Sequence, residues 1–398
     1  MIPGTIHHVF PYHVRHFADD ASVWWDVQLG AWPVAAALQG AYRAATRVHV
    51  IGDKPAIHDQ LIVHRGTHAG PEVARYGFDL SISLLWAMRG LSSSDVCFIH
   101  GAARPADILC AEAARSAHIV GVYHGDAAGG PDRLKDLAER HVVLRSGVTG
   151  QLATLGYDHS IVVELTPSVA SGFFEAHRSA RVGKRVIVGF IGRPIYSKGA
   201  DSIVPMIRAL RAAGHEVLLE IVGALDVDEF SSLQKEVVAM GCDFRSLGFI
   251  ANADLSRVVA RWDVLFFPSR SEGCPRSILE ATACGIPVVC VTGVIPDKLV
   301  DGQLVRAVDR AELPSAVIAV LSAGVGKWIS AARPARRHEE GAADLDEIVE
   351  GLPAQPPKSR SAPVSTLRAL ASIASHSHPF RQHARETMHR TRRVMGRD

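Results

Sequence analysis

Short runs of apolar residues alternate along this chain with longer stretches in which apolar positions recur at helical spacing. Such short runs, rich in Val, Ile and Phe, are typical of strands that are buried on both faces. The predicted strands are residues 5–10, 47–51, 95–100, 118–124, 141–144, 161–165, 185–191, 216–222, 264–267 and 287–291. Their alternation with helices predicts an α/β protein with parallel sheets, in which ligands bind at the carboxyl ends of the strands.

The most informative stretch runs from Trp262 to Val291 and predicts a strand, a polar turn, a helix and a second strand. Pro275 falls in the first turn of the predicted helix, and Gly285 follows its last turn. The N–H groups at a helix start can bind a phosphate, and the helix dipole favours an anion there. Glu272 and Glu280 flank this position, and each carboxylate can accept hydrogen bonds from sugar hydroxyls. The stretch therefore predicts a site for a sugar–diphosphate–ribose ligand.

A second turn with matching chemistry follows the predicted strand 185–191. It reads GRPIYSKG from Gly192 to Gly199 and leads into a predicted helix. Arg193 and Lys198 lie five residues apart in this turn. Two cations so placed can neutralise a diphosphate, the arginine by bidentate bonding and the lysine as a point charge.

Two histidines end predicted strands of the first half of the chain. His100 closes DVCFIH, and His124 closes HIVGVYH before the glycine-rich segment 125–130. A lone histidine is more often structural than functional. A histidine at a strand end beside a flexible loop is a better candidate for a ligand contact.

Taken together, these patterns resemble the retaining GT-B glycosyltransferases of the glycosyltransferase family 4-like group. The resemblance covers roughly residues 95–350 and implies two Rossmann-like domains that face each other across a cleft. It implies an acceptor-side domain at residues 1–168, a nucleotide-sugar domain at 183–325 and terminal crossing helices at 326–350.

The resemblance also implies roles for individual residues. Glu272 would contact the transferred sugar, Glu280 would hold the ribose, and His124 would lie near the donor sugar. Arg193 and Lys198 would bind the diphosphate. The backbone of further residues would surround the nucleotide: Gly192, Gly223, Ile250 in the base-binding turn, Gly273, Cys274 and Pro275.

The chain departs from the family pattern in two places. Cys274 and Pro275 stand where members commonly have an aromatic residue and a glycine. No glycine lies between Gly4 and Gly30, although the family has a Gly-Gly loop after its first strand. Residues 11–30, with their paired tryptophans, can instead line an acceptor cleft or form a plain surface loop. The donor sugar and the acceptor therefore stay open.

Composition narrows the class of protein. With 398 residues, 47% apolar and 21% charged, the chain is typical of a globular protein of at least two domains. No apolar run reaches the ~18 residues of a membrane span, and the N-terminus lacks a signal-peptide layout. The six cysteines form no C-x-x-C pair, which predicts reduced thiols and a cytoplasmic protein. No acidic pair stands at a turn suited to a metal, so we expect neither a metal nor another cofactor.

The last segment, residues 352–398, has a different composition. It begins with a Pro-rich stretch that predicts a linker, and it carries nine Lys and Arg against two acidic residues. Its net charge is thus +7, which leaves −5 for the preceding residues out of a total of +2. A solvated tail, a peripheral contact with anionic lipid at the inner membrane face, and contact with a polyanionic product are all compatible with this charge. Nucleic acid is not expected, because no recognition motif accompanies the basic residues.

The sequence therefore predicts a transferase that moves a sugar from a nucleotide-sugar to a glycan or lipid-linked acceptor hydroxyl with retention of configuration. Polysaccharide, glycolipid or cell-envelope glycan synthesis is the expected setting. A nucleotide-sugar epimerase or hydrolase on the same fold, or an inactive binding subunit, are the alternatives. A nicotinamide-dependent dehydrogenase is disfavoured, because no G-x-G-x-x-G follows an N-terminal strand.

Overall fold

The structure is a computed structural model of the chain, and it contains two large sheets connected by a short two-stranded one. The described residues are 4–13, 45–52, 54–58, 60–66, 81–101, 105–124, 132–144, 146–176, 185–223, 228–272, 275–295, 299–300, 304–324 and 335–356. Among these residues, no helix is long and apolar enough to cross a membrane.

The first large sheet has eight strands in the order β3-β4-β2-β1-β5-β6-β7-β8. Its neighbouring strands are parallel except for the β3–β4 hairpin. The strands are β1 Thr5–His13, β2 Ala45–Gly52, β3 Ala56–His58, β4 Leu61–Arg65, β5 Val96–His100, β6 His118–Tyr123, β7 Arg140–Val143 and β8 Val162–Glu164. The helices of this part are α1 Ile82–Arg89, α2 Pro105–Ala113 and α3 Ser146–Thr154.

The second large sheet has six parallel strands in the order β12-β11-β10-β13-β14-β15. The strands are β10 Arg185–Ile191, β11 Glu216–Val222, β12 Asp243–Gly248, β13 Val264–Phe267, β14 Val288–Val291 and β15 Val305–Val308. The helices are α5 Ile203–Ala212, α6 Asp228–Ala239, α7 Asn252–Val259, α8 Arg276–Ala283 and α9 Leu313–Ser322. Sequence order runs outward from β10 to β12 and then resumes at β13 on the other side of β10. The β10–β13 boundary is therefore a topological switch point.

The centre of the second sheet is packed around one tryptophan. Trp262 is fully buried, and its ring lies over Gly189 of β10, where a Cβ atom would come within 2.1 Å of the ring. Its indole Nε1 donates a hydrogen bond of 2.9 Å to Oε2 of the buried Glu220. A glycine in the middle of this strand is thus explained by close packing rather than by a turn.

The segments between and after the two sheets pair with each other. Strand β9 Ser168–Val169 lies beside β16 Arg336–Arg337, and a short helix α4 Ser171–Glu175 follows β9. Helix α10 His338–Glu350 then packs on the first sheet, where its Leu345 clusters with Phe98.

The structure confirms most predicted strands and corrects some boundaries. Strand β15, Val305–Val308, lies beyond the last strand predicted from the sequence, 287–291, which the structure has as Val288–Val291. The hairpin β3–β4 was missed, since its two strands have only three and five residues. Leu352 is buried in the core with α10, so the linker cannot begin there. The rest of the tail, residues 357–398, lies outside the described part of the chain.

Candidate functional site

Three glycine turns lie side by side at the carboxyl end of the second sheet. Gly192 and Gly223 directly follow β10 and β11, Gly248 is the last residue of β12, and all three have positive φ angles. The Gly223 N–H donates to Gly248 O at 2.8 Å, and a Cβ atom on Gly223 would come within 2.7 Å of Gly192 O. Only glycine fits such a contact. Without side chains at these turns, the backbone can approach a ligand that binds at this edge of the sheet.

The turn after β10 packs directly on the turn after β13. Gly199 has φ +75°, and a Cβ atom there would come within 2.0 Å of Pro268 O. Across the same contact, the Arg270 N–H donates to Ser197 O at 3.0 Å. The two turns predicted separately from sequence are therefore joined into one surface at the switch point.

This contact brings two predicted site residues together. Lys198 Nζ donates to Glu272 Oε1 at 2.5 Å, with the lysine side chain 33% and the glutamate side chain 14% exposed. Ser269 Oγ donates to the same carboxylate oxygen at 2.6 Å. Glu272 is thus held by a cation and a hydroxyl at the edge of a surface that still reaches solvent.

Charged side chains stabilise the two joined turns through ion pairs and hydrogen bonds. Arg270 forms a bidentate ion pair with Asp201, at 2.7 and 2.8 Å, and its guanidinium lies 3.6 Å from the centre of the Tyr196 ring. Hydrogen bonding with Arg270 lowers the pKa of the Asp201 carboxyl and raises that of the arginine. Arg310 Nη2 also donates to Pro268 O at 2.9 Å.

Helix α8 begins beside this turn. Pro275 occupies its N-cap position and makes no side-chain hydrogen bond to the first turn. Arg276 follows as the first helical residue, and its Nη1 is buried without a hydrogen-bond partner among the residues that the structure describes. The positive charge of Arg276 is unfavourable at the positive end of the helix dipole. An anion bound there would interact favourably with the dipole and would accept a hydrogen bond from the unpaired N–H.

Glu280 lies one turn further along α8 and is only 4% exposed. Burial raises the pKa of its carboxyl, while the nearby charge of Arg276 and a hydrogen bond from the Asn252 side chain lower it. Together these effects raise the pKa of Glu280 above its usual value. Helices α7 and α8 therefore position this carboxylate together.

His124, at the end of β6 on the first sheet, is also in a hydrogen-bonded setting. Its Nε2 lies 2.9 Å from Nδ1 of the fully buried His100. Phe10 stacks on the His100 ring at 4.1 Å between centres. His100 and His124, which the sequence marked as separate strand ends, are direct neighbours.

The remaining predicted site residues are placed as follows. Arg193 is exposed in the turn after β10, and Ile250 is half-buried against the core of the second sheet. Gly273 and Cys274 lie outside the described residues. Within the described part of the chain, no three His, Cys, Asp or Glu residues are grouped so that they could hold a metal ion.

Sequence reasoning missed Arg276, Asn252 and Ser269 as members of this surface. The sequence contained a signal for Arg276, because a cation is uncommon at the first position of a helix, and this helix was predicted to bind a phosphate. Asn252 was not readable, since its contact with Glu280 joins two helices that only the packing of the sheet brings together.

Residues 185–323 match the family Glycosyl transferases group 1. The 2-deoxystreptamine glucosyltransferase of Streptomyces kanamyceticus is 29% identical over 160 residues, a segment that spans 36% of this chain and 41% of that enzyme.

Solved structures resemble the whole described architecture. Anabaena HepE in complex with UDP and glucose superposes with a TM-score of 0.64 at 14% identity, covering 87% of this chain and 99% of that one. A glycosyltransferase from Rickettsia africae superposes with a TM-score of 0.64 at 13% identity, covering 88% and 100%. At such identities the likeness concerns the fold. The chain therefore has the GT-B fold of two Rossmann-like domains, and its residues 185–323 are similar to the family Glycosyl transferases group 1.

Proposed function

We propose that this protein is a glycosyltransferase that moves a sugar from a nucleotide-sugar donor to an acceptor hydroxyl with retention of configuration. The observation that carries the proposal is the contact between Lys198 and Glu272 at the switch point of the second sheet. It places a cation suited to a phosphate and a carboxylate suited to a sugar hydroxyl next to each other, as a sugar–diphosphate ligand requires.

The leaving diphosphate is the chemical centre of the proposed reaction. Negative charge grows on it as the bond to the sugar breaks, and cations at fixed positions stabilise that charge. We assign this role to Arg193, Lys198 and the start of α8, and we add Arg276, whose buried Nη1 would gain a phosphate oxygen as its partner. No metal is needed in this scheme.

The sugars at either end of the diphosphate would be held by hydrogen bonds. Glu272 and His124 would position the transferred sugar, and Glu280 would accept hydrogen bonds from the ribose. The backbone near Gly192, Gly223, Gly273, Cys274 and Pro275 would surround the phosphates, and the turn that contains Ile250 would meet the base. Support for the last assignment is the contact between the Gly223 and Gly248 turns.

The acceptor and the setting follow from chemistry outside this site. We propose a glycan or lipid-linked acceptor, in polysaccharide, glycolipid or cell-envelope glycan synthesis, for a cytoplasmic enzyme. The basic tail would add a peripheral contact with anionic lipid, because its charge of +7 follows a core of −5.

Two measurements on the purified chain test the proposal. Thermal unfolding would be followed with UDP-, GDP- and ADP-sugars, since a ligand at about 100 times its Kd adds about 2.7 kcal/mol to the free energy of unfolding. Release of nucleoside diphosphate would then be measured with and without acceptor glycans. We expect release that depends on an acceptor, with a product of the donor's anomeric configuration. Equal release without acceptor would indicate a hydrolase or epimerase, and donor binding without any release would indicate an inactive binding subunit.

A further inference from the structure

Among the described residues, the imidazole rings of His8, His100 and His124 form one hydrogen-bonded row across the first sheet. We propose that His8 and His100 are positioning residues that fix which nitrogen of His124 carries the proton, and hence whether His124 donates or accepts a hydrogen bond at the donor sugar. The inference rests on the proposed function only in its last step, the contact with sugar.

The row crosses the sheet from β1 through β5 to β6. His8 Nδ1 lies 3.0 Å from His100 Nε2, and His100 Nδ1 lies 2.9 Å from His124 Nε2. His8 and His100 are 1% and 0% exposed, so the row runs from the interior to the end of β6. Aromatic stacking fixes both rings, with Phe98 over His8 and Phe10 over His100.

Burial keeps the inner rings neutral at pH 7. It lowers the pKa of His8 to about 3, and the neighbouring His7 adds to the shift. It lowers the pKa of His100 well below its usual value, with further lowering by His124 and His8. Each inner ring therefore has one N–H and one bare nitrogen.

The number of protons on the three rings links their tautomers. His100 uses both nitrogens in the row, so it donates to one neighbour and accepts from the other. In one arrangement every ring carries its proton on Nδ1, and in the other every ring carries it on Nε2. A mixed row would leave one link with two protons or with none, and both are unfavourable in a buried site.

The coupling determines the chemistry of His124. When its Nε2 accepts from His100, its Nδ1 carries the proton and is a donor. When its Nε2 donates to His100, its Nδ1 is an acceptor. A change at His8, two rings away, would thus alter how His124 meets a sugar hydroxyl without any direct contact.

A second row provides a matched control. His7, His49 and His64 are linked on β1, β2 and β4 by contacts of 2.9 Å each, and His7 is 6%, His49 3% and His64 7% exposed. His7 and His8 are consecutive residues of one strand, so they point to opposite faces of the sheet. The second row is equally buried, and its hydrogen bonds among the described residues join only His7, His49 and His64.

The test combines nitrogen NMR of the full-length chain with kinetics. The protein is labelled with ¹⁵N-histidine, and the signals of His100 and His124 are assigned with His100→Gln and His124→Gln. We expect both rings to be neutral and to share one tautomer. His8→Phe should shift the tautomer balance of both rings and lower kcat/KM for sugar transfer by about 10-fold, the lower end of the range known for loss of the hydrogen-bond partner of a metal-bound histidine. His49→Phe should leave both quantities unchanged. His8→Asn, whose amide can restore the link, should recover most of the wild-type balance.

The outcomes separate the two proposals. Different tautomers for His100 and His124, or a charged His100, would overturn the coupled row whatever the activity. A shared tautomer with unchanged transfer kinetics in His8→Phe would overturn the positioning role. If the wild-type chain transfers no sugar, the proposed function fails, while the NMR result still decides whether the row is coupled.

Discussion

Lys198 Nζ lies 2.5 Å from Glu272 Oε1, and the two residues come from turns that are 74 positions apart in the chain. The packing of Gly199 on Pro268 creates this proximity. A cation paired with a carboxylate in this way is held in place before the ligand arrives, and a diphosphate can then share it. The predictions on catalysis start from this pair.

Loss of either diphosphate cation should lower turnover more than binding. Charge on the leaving group is larger in the transition state than in the ground state, so Arg193→Ala and Lys198→Ala should each reduce kcat by roughly 10²–10³. The double variant should lose less than the product of the two effects, because both residues act on one group. Turnover and nucleoside-diphosphate affinity by calorimetry are the measurements, with Arg208→Ala on the exposed face of α5 as the control. A rise in KM alone would reduce both cations to binding residues.

Glu280→Gln should raise the KM for nucleotide-sugar more than it lowers kcat. Ribose contacts are present in the ground state and in the transition state, so their loss weakens the binding of both states equally. Asn252→Ala should shift KM in the same direction, because its hydrogen bond helps to hold the Glu280 carboxylate. The exposed Glu236→Gln on α6 is the matched control. Wild-type kinetics in Glu280→Gln would remove the assignment of the ribose site.

Gly189→Ala should destabilise the second sheet. The new methyl group would meet the Trp262 ring at 2.1 Å in the middle of a central strand, and overpacking of this kind costs typically about 1–3 kcal/mol. Gly150→Ala in α3 is the control, because its Cβ would meet nothing within 4 Å and alanine favours a helix by up to about 1 kcal/mol. Urea unfolding of both variants measures the two changes, and an unchanged midpoint for Gly189→Ala would contradict the packing described for Trp262.

Acid should destabilise the fold between about pH 6.5 and pH 4. Burial lowers the pKa of His7, His64 and His141 to about 4 each, so these rings stay neutral in the fold while the unfolded chain takes up protons. The unfolded state then binds more protons, and stability falls as the pH falls, by up to about 1.4 kcal/mol per pH unit for each ring. Urea unfolding at several pH values gives the slope. His141→Gln should reduce it by about one proton.

Truncation should separate the tail from the core at a defined residue. A chain ending after Pro356 should keep wild-type stability, whereas one ending after Gly351 loses the buried Leu352 and should lose about 1.5–3 kcal/mol of its free energy of unfolding.

If the tail contacts lipid, the chain ending at Pro356 should lose salt-sensitive binding to anionic vesicles and keep its activity in solution. Absence of vesicle binding by the full-length chain at low salt would rule out the membrane contact.

The sequence by itself determined the local elements and the two turns that carry the candidate chemistry. Strands β10, β11 and β13 have the predicted boundaries, and α8 runs between Pro275 and Gly285 as predicted. These features depend on apolar periodicity and on the backbone preferences of Pro and Gly, both of which act over a few residues.

Only the tertiary structure decided which of these pieces meet. The row from His8 through His100 to His124 spans more than a hundred positions and exists because β1, β5 and β6 are neighbours in the sheet. The contacts of Glu280 with Asn252 and of Lys198 with Glu272 have the same origin. Strand order results from the burial of both sheet faces by the whole chain, and no local pattern records it. For that reason the sequence indicated the donor-site turns and His124 one by one, while their partners became visible only in the fold.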